Sequence, residues 1–515
     1  MSRSNTSQMD QSITPGADFL QLSIGDAPVG GRADWLARRL RQAISDGRLP
    51  VGSRLPASRV LAAELQVSRG VVTEAYQRLT EDGHVAGRGR NGTIVVAAPV
   101  PIMTAPVPAA GAPAPGRPPG GPAAAVPGPA GTPAGELFAA PPGVDIFDSL
   151  RAAPARIDLT PGLPDLAAFP RAAWLRAERS VLADLSPTAF GYSDPRGTPA
   201  LRLAVTRWLG RTRGIRVEPD EVIIVNGVSQ ALGLLAQVLR TGGTGVVAVE
   251  DPGSLGTRQH LQNWGLDTPP VPVDADGVRV AELAAGDARA VLLTPAHQFP
   301  TGVVLDGERR RELFGWAERG GLIIEDDYDA EHRYDRPPVP ALRAVLGDRV
   351  CYAGSVSKLL APALRVGWLL PPPRYLGALI AAKRNADLGN AVLPQLVLAR
   401  LMESGELERQ LRFVRKRHRR RRDAMISAIA TELPQATVHG AAAGLHLMTT
   451  FDDGSGFADL DLAAAAMARG VKVQPLSWHS QRPHRPGLVL GYAANPPTAI
   501  TDGIAALGAI VREIG

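Results

Sequence analysis

The chain has 515 residues, 45% of them hydrophobic, and a formal net charge of +6, which is enough chain for two or more separately cored domains. No uninterrupted apolar run approaches the roughly 20 residues of a membrane helix. The start, MSRSNTSQMDQSITPG, lacks the basic and apolar regions of a secretory signal, so the expectation is a cytoplasmic chain with no membrane partner. A single cysteine, Cys351, excludes a disulfide framework and a cysteine-built zinc site and sits in the apolar stretch VCYAGS, where a core role is expected.

Residues 1–29 read as a tail and residues 30–97 as a compact basic domain in which eleven arginines face six acidic residues, a balance suited to nucleic acid. In DWLARRLRQAISDGRL, Trp35, Leu36, Leu40 and Ile44 recur near helical spacing and Gly47 is placed to end the helix. A second short helix follows Pro56 in SRLPASRVLAAEL, and a third lies in VSRGVVTEAYQRLTEDG with Ser68 as N-cap. Joined by the tight QVS turn, the two form a helix-turn-helix. The segment HVAGRGRNGTIVVA reads as a two-stranded wing with a basic tip from Gly89 to Gly92. This whole segment resembles the GntR-type winged helix-turn-helix in its LPxSR helix start, VSRxTV-like turn and GxGT-like wing. The resemblance implies promoter DNA as a partner, with Arg59, Ser68, Arg69 and Thr73 facing it and Arg88 and Arg90 on the wing. Gly70 departs from the polar residue common after VSR. The competing reading is a solvated basic face on a structural domain.

From 98 to 155 the sequence turns to proline, alanine and glycine, with too little apolar bulk to offset chain ordering. It reads as a disordered linker whose roughly 50 residues span about 40 Å as a coil.

From 156 to 515, apolar runs such as VIIVNG, GVVAVED, AVLLTP, GLIIEDD and RVCYAGS alternate with helical stretches, the pattern of a mostly parallel α/β sheet. Long helices and short strands around LHLMTTF and GLVLGYA suggest a smaller C-terminal α+β subdomain. Lys358 follows an apolar strand, is preceded by Ser355 and Ser357 and is followed seven residues later by Arg365. An amine there can attack an aldehyde while hydroxyls and a guanidinium hold a phosphate. The strand GLIIEDD ends in acids, as needed for a carboxylate that keeps a pyridine nitrogen protonated, with Asp326 as the candidate and Tyr328 beside it. His297 and Gln298 lie at another strand end, and Gly227, Val228 and Ser229 form a strand-to-helix turn whose N–H groups suit phosphate.

The order Tyr192-Ser-Asp-Pro-Arg-Gly, Asn226-Gly, Glu250-Asp-Pro-Gly, HQFPTG, EDDYD, SVSK and LGYA resembles the fold type I aminotransferases. With the GntR-type head it resembles the MocR/GabR regulators. The resemblance implies pyridoxal 5'-phosphate (PLP) in Schiff-base linkage to Lys358, Asp326 on the pyridine nitrogen, Tyr328 on the phenolic oxygen and Arg365 on the phosphate. Ser355, Ser357, Gly227, Val228, Ser229 and Gln298 would complete the contacts. Tyr192 would reach a neighbouring subunit's cofactor, implying a head-to-tail homodimer.

Two positions depart from the pattern. Ser254 replaces the aromatic that stacks on the cofactor ring, and Val489 replaces the arginine that clamps a substrate carboxylate, with Arg258, Arg482 or Arg485 as substitutes. The effector is then PLP itself or an amino compound. In RQLRFVRKRHRRRRDAM, Arg412, Arg415, Arg419 and Arg422 recur at helical spacing and read as a solvated face, with contact to a DNA backbone as the alternative. His332, His439, His446 and His479 read as structural, with no metal site. The expected function is a PLP-dependent transcriptional regulator that senses an effector; the alternative is a working aminotransferase with an accessory DNA-binding head.

Overall fold

The computed structural model describes residues 22, 27, 31–46, 48–81, 84–87, 92–96, 136–334 and 339–514 and divides into two compact units, Met1–Ala130 and Gly131–Gly515. In the first unit, helices Arg32–Ser45, Ser58–Glu64 and Arg69–Glu81 precede an antiparallel hairpin, Val85–Gly87 with Thr93–Val95, paired Val85 to Val95. Leu36, Leu40 and Ile44 from the first helix meet Leu61, Val72, Leu79, Val85 and Val95 in one core, as their spacing requires. Residues 52–55 add to the wing: Leu55 N–H donates to Thr93 O and Val95 N–H to Ser53 O. The sequence reading of a two-stranded wing missed this segment. Arg88, Arg90 and the helix-ending Gly47 lie outside the described residues.

The second unit is built on an eight-stranded sheet in the order Ile223–Val225, Gly367–Leu370, Val350–Ser355, Leu322–Asp327, Ala290–Leu293, Ala248–Asp251, Pro270–Asp274, Gly277–Val278. The four central strands run parallel, and Gly367–Leu370 is antiparallel to both neighbours. Alternate side chains serve opposite layers. Val225, Ile324, Cys351 and Leu369 pack with helices Val228–Thr241 and Pro373–Asp387, while Ile224, Tyr352 and Trp368 pack with Pro199–Arg213 and Val392–Glu403. Burial on both faces explains the continuous apolar runs. Cys351 is a core residue, its thiol pushed up to about 12 by burial.

A second body combines the 27-residue helix Glu406–Glu432 with the four-stranded sheet Thr437–His439, His446–Thr450, Gly487–Gly491, Gln474–Pro475 and the helices Asp459–Ala468 and Pro497–Ile514. Its core takes in residues expected to be linker. Leu137, Phe138, Ile146 and Leu150 are buried there, Phe138 stacks on Trp478 at 5.3 Å, and Ile146–Ala152 is helical. The 98–155 boundary is therefore corrected: 136–155 is folded, because its few large apolar residues find partners near the other chain end. Ile157–Asp158 then pairs in parallel with Val471–Lys472.

Of the arginines expected on a solvated face, Arg412 and Arg419 are exposed and Arg415 and Arg422 half-buried, but other arginines of the run are not on that face. Arg417 and Arg421 are buried against Asp165, at 2.6 and 3.1 Å. Arg415 donates to Glu331 O, Arg419 to Tyr334 O and Arg422 to Ala441 O. Much of the run is spent on intramolecular carbonyls and one buried carboxylate, not on a uniformly solvated face.

Candidate functional site

A cavity of about 710 Å³ lies at the carboxyl ends of the central strands, where open α/β sheets bind ligands. The strand Leu322–Asp327 delivers Asp326 and Tyr328 to it, Val350–Ser355 delivers Ser355, and the following turn brings Ser357 and Lys358. Alternation along Leu322–Asp327 sends Asp327 the other way, into a buried pair with Arg213 at 2.5 Å.

Lys358 Nζ donates to Gly162 O. Burial lowers its ammonium from the ordinary range, opposed by Asp329 and Asp326, which favours the nucleophilic amine. Burial pushes the Asp326 carboxyl up to about 7, helped by Asp327 and Asp329 and opposed by Lys358. Its Oδ1 is shut off from solvent and accepts no hydrogen bond, an expensive state for a carboxylate unless a cationic N–H arrives. The Tyr328 hydroxyl lies 3.0 Å from His297 Nδ1, which is also 2.9 Å from Asp329 Oδ2. Burial, then Asp329 and Asp326, hold that phenol well above its ordinary value, so it stays a donor.

At the other end, helix Val228–Thr241 starts at Gly227, whose φ is 78°, and its first N–H groups lack intrahelical acceptors. A Cβ on Gly227 would come within 3.1 Å of Arg365 Nη2; Arg365 itself donates to Asn226 O. Val228, Ser229, Ser355, Ser357 and Arg365 thus line one concave, donor-rich corner. A phosphate suits these donors and the pyridine nitrogen suits Asp326, so the residues present fit PLP.

Two expected contacts lie elsewhere. Gln298 does not line the cavity: its amide donates to Pro252 O and Phe299 O and its Oε1 accepts from Thr301, which fixes the loop, and Phe299 lines the cavity instead. Tyr192 is 96% exposed and outside the cavity of its own chain. His446 and His479, read as structural, do bond within the fold, to Pro300 O and Gln474 Oε1, but they also line the cavity. Burial lowers both to about 3, so they are neutral. His332 bonds the Lys358 carbonyl and His439 bonds Thr450.

His297, Asp329 and His446 bring their donor atoms within 4.8 Å of one another, as a metal would need. However, a Cβ on Gly444 would fall 1.9 Å from His297 Cε1, so backbone fills the space beside that ring. The trio reads instead as the support that orients Tyr328.

Ser254 N-caps helix Leu255–Asn263 by accepting from Thr257 N–H. Val489 is buried with Met448, Leu476 and Phe299. Of the three substitute arginines, only Arg258 lines the cavity; Arg482 pairs with Glu282 and Arg485 with Asp452. Phe147, Leu150 and Arg151 form part of the wall, and no local motif announces them. In the first unit Arg59, Ser68, Arg69 and Thr73 are all exposed, with Arg69 and Thr73 one turn apart on the third helix.

Residues 33–95 match the bacterial regulatory proteins of the gntR family and residues 156–481 match aminotransferase class I and II. The chain is 32% identical over 478 residues to the probable rhizopine catabolism regulatory protein MocR of Rhizobium meliloti, covering 92% of each chain. It is 30% identical to the pyridoxine biosynthesis transcriptional regulator PdxR of Corynebacterium glutamicum, covering 89% of this chain and 91% of PdxR. Among solved structures, the α-aminoadipate aminotransferase LysN of Thermus thermophilus, complexed with N-(5'-phosphopyridoxyl)-L-leucine, matches with a TM-score of 0.65 at 26% identity, over 74% of this chain and 97% of LysN. Among the described residues no helix is long and apolar enough to cross a membrane. A GntR-type head on a type I aminotransferase fold, matched over about nine tenths of the chain by regulators, makes this chain a DNA-binding transcriptional regulator of the MocR family.

Proposed function

We propose that the chain is a PLP-dependent regulator whose aminotransferase-like unit senses an effector and thereby sets the affinity of its head for promoter DNA. The observation that carries this reading is the convergence of Lys358, the unpartnered Asp326 oxygen and the Arg365 corner on one cavity. When bound, PLP supplies an aldehyde carbon that exchanges amines and a ring that withdraws electrons. Lys358 holds it covalently, Asp326 keeps a proton on the ring nitrogen, and Tyr328, steadied by His297, donates to the phenolic oxygen. Ser355, Ser357, Arg365 and the N–H groups of Val228 and Ser229 hold the phosphate. Tyr192, projecting from the surface, completes the site in a second copy of the chain, so the working form is a homodimer presenting two heads. On those heads Arg59, Ser68, Arg69 and Thr73 contact DNA.

The effector acts through a coupling free energy between cavity and head. The alternative, steady transamination, draws on intact Lys358 and Asp326, but Val489 leaves a substrate carboxylate without its usual clamp, a charge-assisted contact worth about 1.5–3 kcal/mol. The test is the visible absorbance of the full chain with PLP, wild type beside Lys358→Ala, followed by titration of both onto the upstream promoter. A band in wild type alone, with PLP altering wild-type DNA affinity, is the expected result. Multiple turnovers of an amino donor with a keto acid and no PLP effect on DNA would favour the alternative.

A further inference from the structure

Arg365 is the guanidinium of the phosphate corner, yet it is exposed, and a long exposed side chain must be ordered before it can hold a ligand. Its Nη2 donates to Asn226 O, so where Arg365 points depends on what holds Asn226. Three bonds do. The Asn226 N–H donates to Gln230 Oε1 at 2.8 Å, its Nδ2 donates to Asp387 Oδ2 at 3.0 Å, and its Oδ1 accepts from Asn390 Nδ2 at 2.8 Å. Gln230 Nε2 donates to the same Asp387 oxygen at 2.7 Å. Lys383, with no exposed side-chain surface, gives its ammonium to both Asp387 oxygens and to Asn390 Oδ1 at 2.6–2.7 Å, which uses all three of its donors. Asn390 O in turn accepts from Gln395 Nε2 of helix Val392–Glu403. None of Asn226, Gln230, Lys383, Asp387 or Asn390 lines the cavity. A buried ion pair such as Lys383–Asp387 contributes little net stability over apolar residues of the same volume; what this one yields is a fixed turn.

We propose that Asp387 and Lys383 are positioning residues for the cofactor's phosphate. Acting through Asn226 and Gln230, they hold the Arg365 guanidinium and the first N–H groups of helix Val228–Thr241 in the arrangement a phosphate needs before it arrives. This rests on the reading of that corner as the phosphate site. Asn226 precedes Gly227 and Gln230 follows Ser229, and one oxygen of Asp387 accepts from both side chains. A single carboxylate thus clamps the turn on either side of the Val228 and Ser229 N–H groups. Without the clamp, Gly227, at a φ of 78°, is free to take other conformations. Donors fixed in advance spare the ligand the cost of ordering them. Lys383 and Asp387 are of opposite charge, so the clamp adds rigidity beside the phosphate and no net charge. Its hydrogen bonds reach none of Lys358, Asp326 or Tyr328, so its loss should be felt at the phosphate and not at the ring or the aldehyde.

The test sets PLP against pyridoxal, which carries the same ring and aldehyde without the phosphate. The full chain, as wild type, Asp387→Ala, Asp387→Asn and Lys383→Met, is titrated with each, and the visible band gives the half-saturation. The ratio of the two half-saturations is the contribution of the phosphate. Asp387→Ala and Lys383→Met should raise the PLP half-saturation by about tenfold or more while pyridoxal stays within about twofold. Asp387→Asn, which keeps one acceptor oxygen, should fall between wild type and Asp387→Ala. Thermal melting without ligand checks that the variants fold; if Asp387→Ala and Lys383→Met do not, Asp387→Asn carries the comparison, with a loss of about threefold or more expected for PLP alone. Equal weakening of PLP and pyridoxal, or no weakening of PLP, overturns the positioning role and leaves the network a support of the fold. A wild type that binds PLP no better than pyridoxal overturns the phosphate corner as well, and no band with either ligand overturns the cofactor reading.

Discussion

Asp326 is held in a corner where its charge is poorly served. The sign of its pH dependence follows from a folded-state value of about 7 set against an ordinary carboxyl near 3.9. A carboxyl raised in the folded state contributes stability below its unfolded value and loses it as pH rises through the folded one. The PLP-free protein should therefore be stabilised by Asp326→Asn, a neutral isostere, and the gap should widen from about pH 4 to about pH 7 and then level off at roughly 2–4 kcal/mol. Urea unfolding of both proteins across that range measures the gap. The same variant should lose the thermal shift that PLP gives wild type, since the amide supplies no negative charge for the ring nitrogen. A gap that shrinks with rising pH would remove the basis for assigning that carboxylate to a cation. Lys358, Asp326, Tyr328 and Arg365 were legible in the sequence because each sits in a short contiguous motif at a strand end. Gln298 was misread for the opposite reason: nothing in HQFPTG says that its amide is consumed by Pro252 and Thr301, leaving Phe299 to face the cavity.

The long helix Glu406–Glu432 shows what charge periodicity hides. The spacing singled out Arg412, Arg415, Arg419 and Arg422 and passed over Arg417 and Arg421, because the carboxylate that buries those two, Asp165, is about 250 residues away in sequence. Removing one member of a buried ion cluster strands the others, at a cost of about 3–5 kcal/mol. Asp165→Ala should therefore lower the unfolding free energy of the aminotransferase-like unit by that amount, read as a lower urea midpoint at an unchanged m value, whereas Arg412→Ala should cost under about 0.5 kcal/mol. Comparable small losses for both would mean that the cluster contributes little. Five strands of the large sheet were legible, because burial on both faces leaves unbroken apolar runs, whereas Gly367–Leu370, Pro270–Asp274 and Gly277–Val278 were not singled out. The folded stretch 136–155 was not, since only a handful of its residues are large and apolar, and their partners, Trp478 among them, lie more than 300 residues on.

At the scale of the whole molecule, two kinds of assembly can be checked. Affinity for promoter DNA should fall steeply with salt, and Arg59→Ala or Arg69→Ala should each make the log–log slope shallower by about 0.9 if the side chain meets a phosphate. A loss of affinity with an unchanged slope would move that residue to base contact. Association in pairs is tested by mixing two crippled chains, Tyr192→Ala and Lys358→Ala. If Tyr192 serves a second copy, the mixture should recover, in mixed pairs, a fraction of sites holding both residues, and its cofactor should be bound more tightly than in either variant alone. No gain on mixing would confine Tyr192 to its own chain or to the surface.

The packing of Phe138 and Phe147 around Trp478 bears on where the sensor begins. The recognisable aminotransferase sequence starts at residue 156, and an excised domain cut there would look complete by that standard. It would lack one side of its own pocket, because Phe147, Leu150 and Arg151 belong to the wall, and it would leave a large apolar scar on the small subdomain. A cut at 136 keeps the enclosure whole. The twenty residues from 136 to 155 are thus part of the ligand enclosure and not only a lead-in to it.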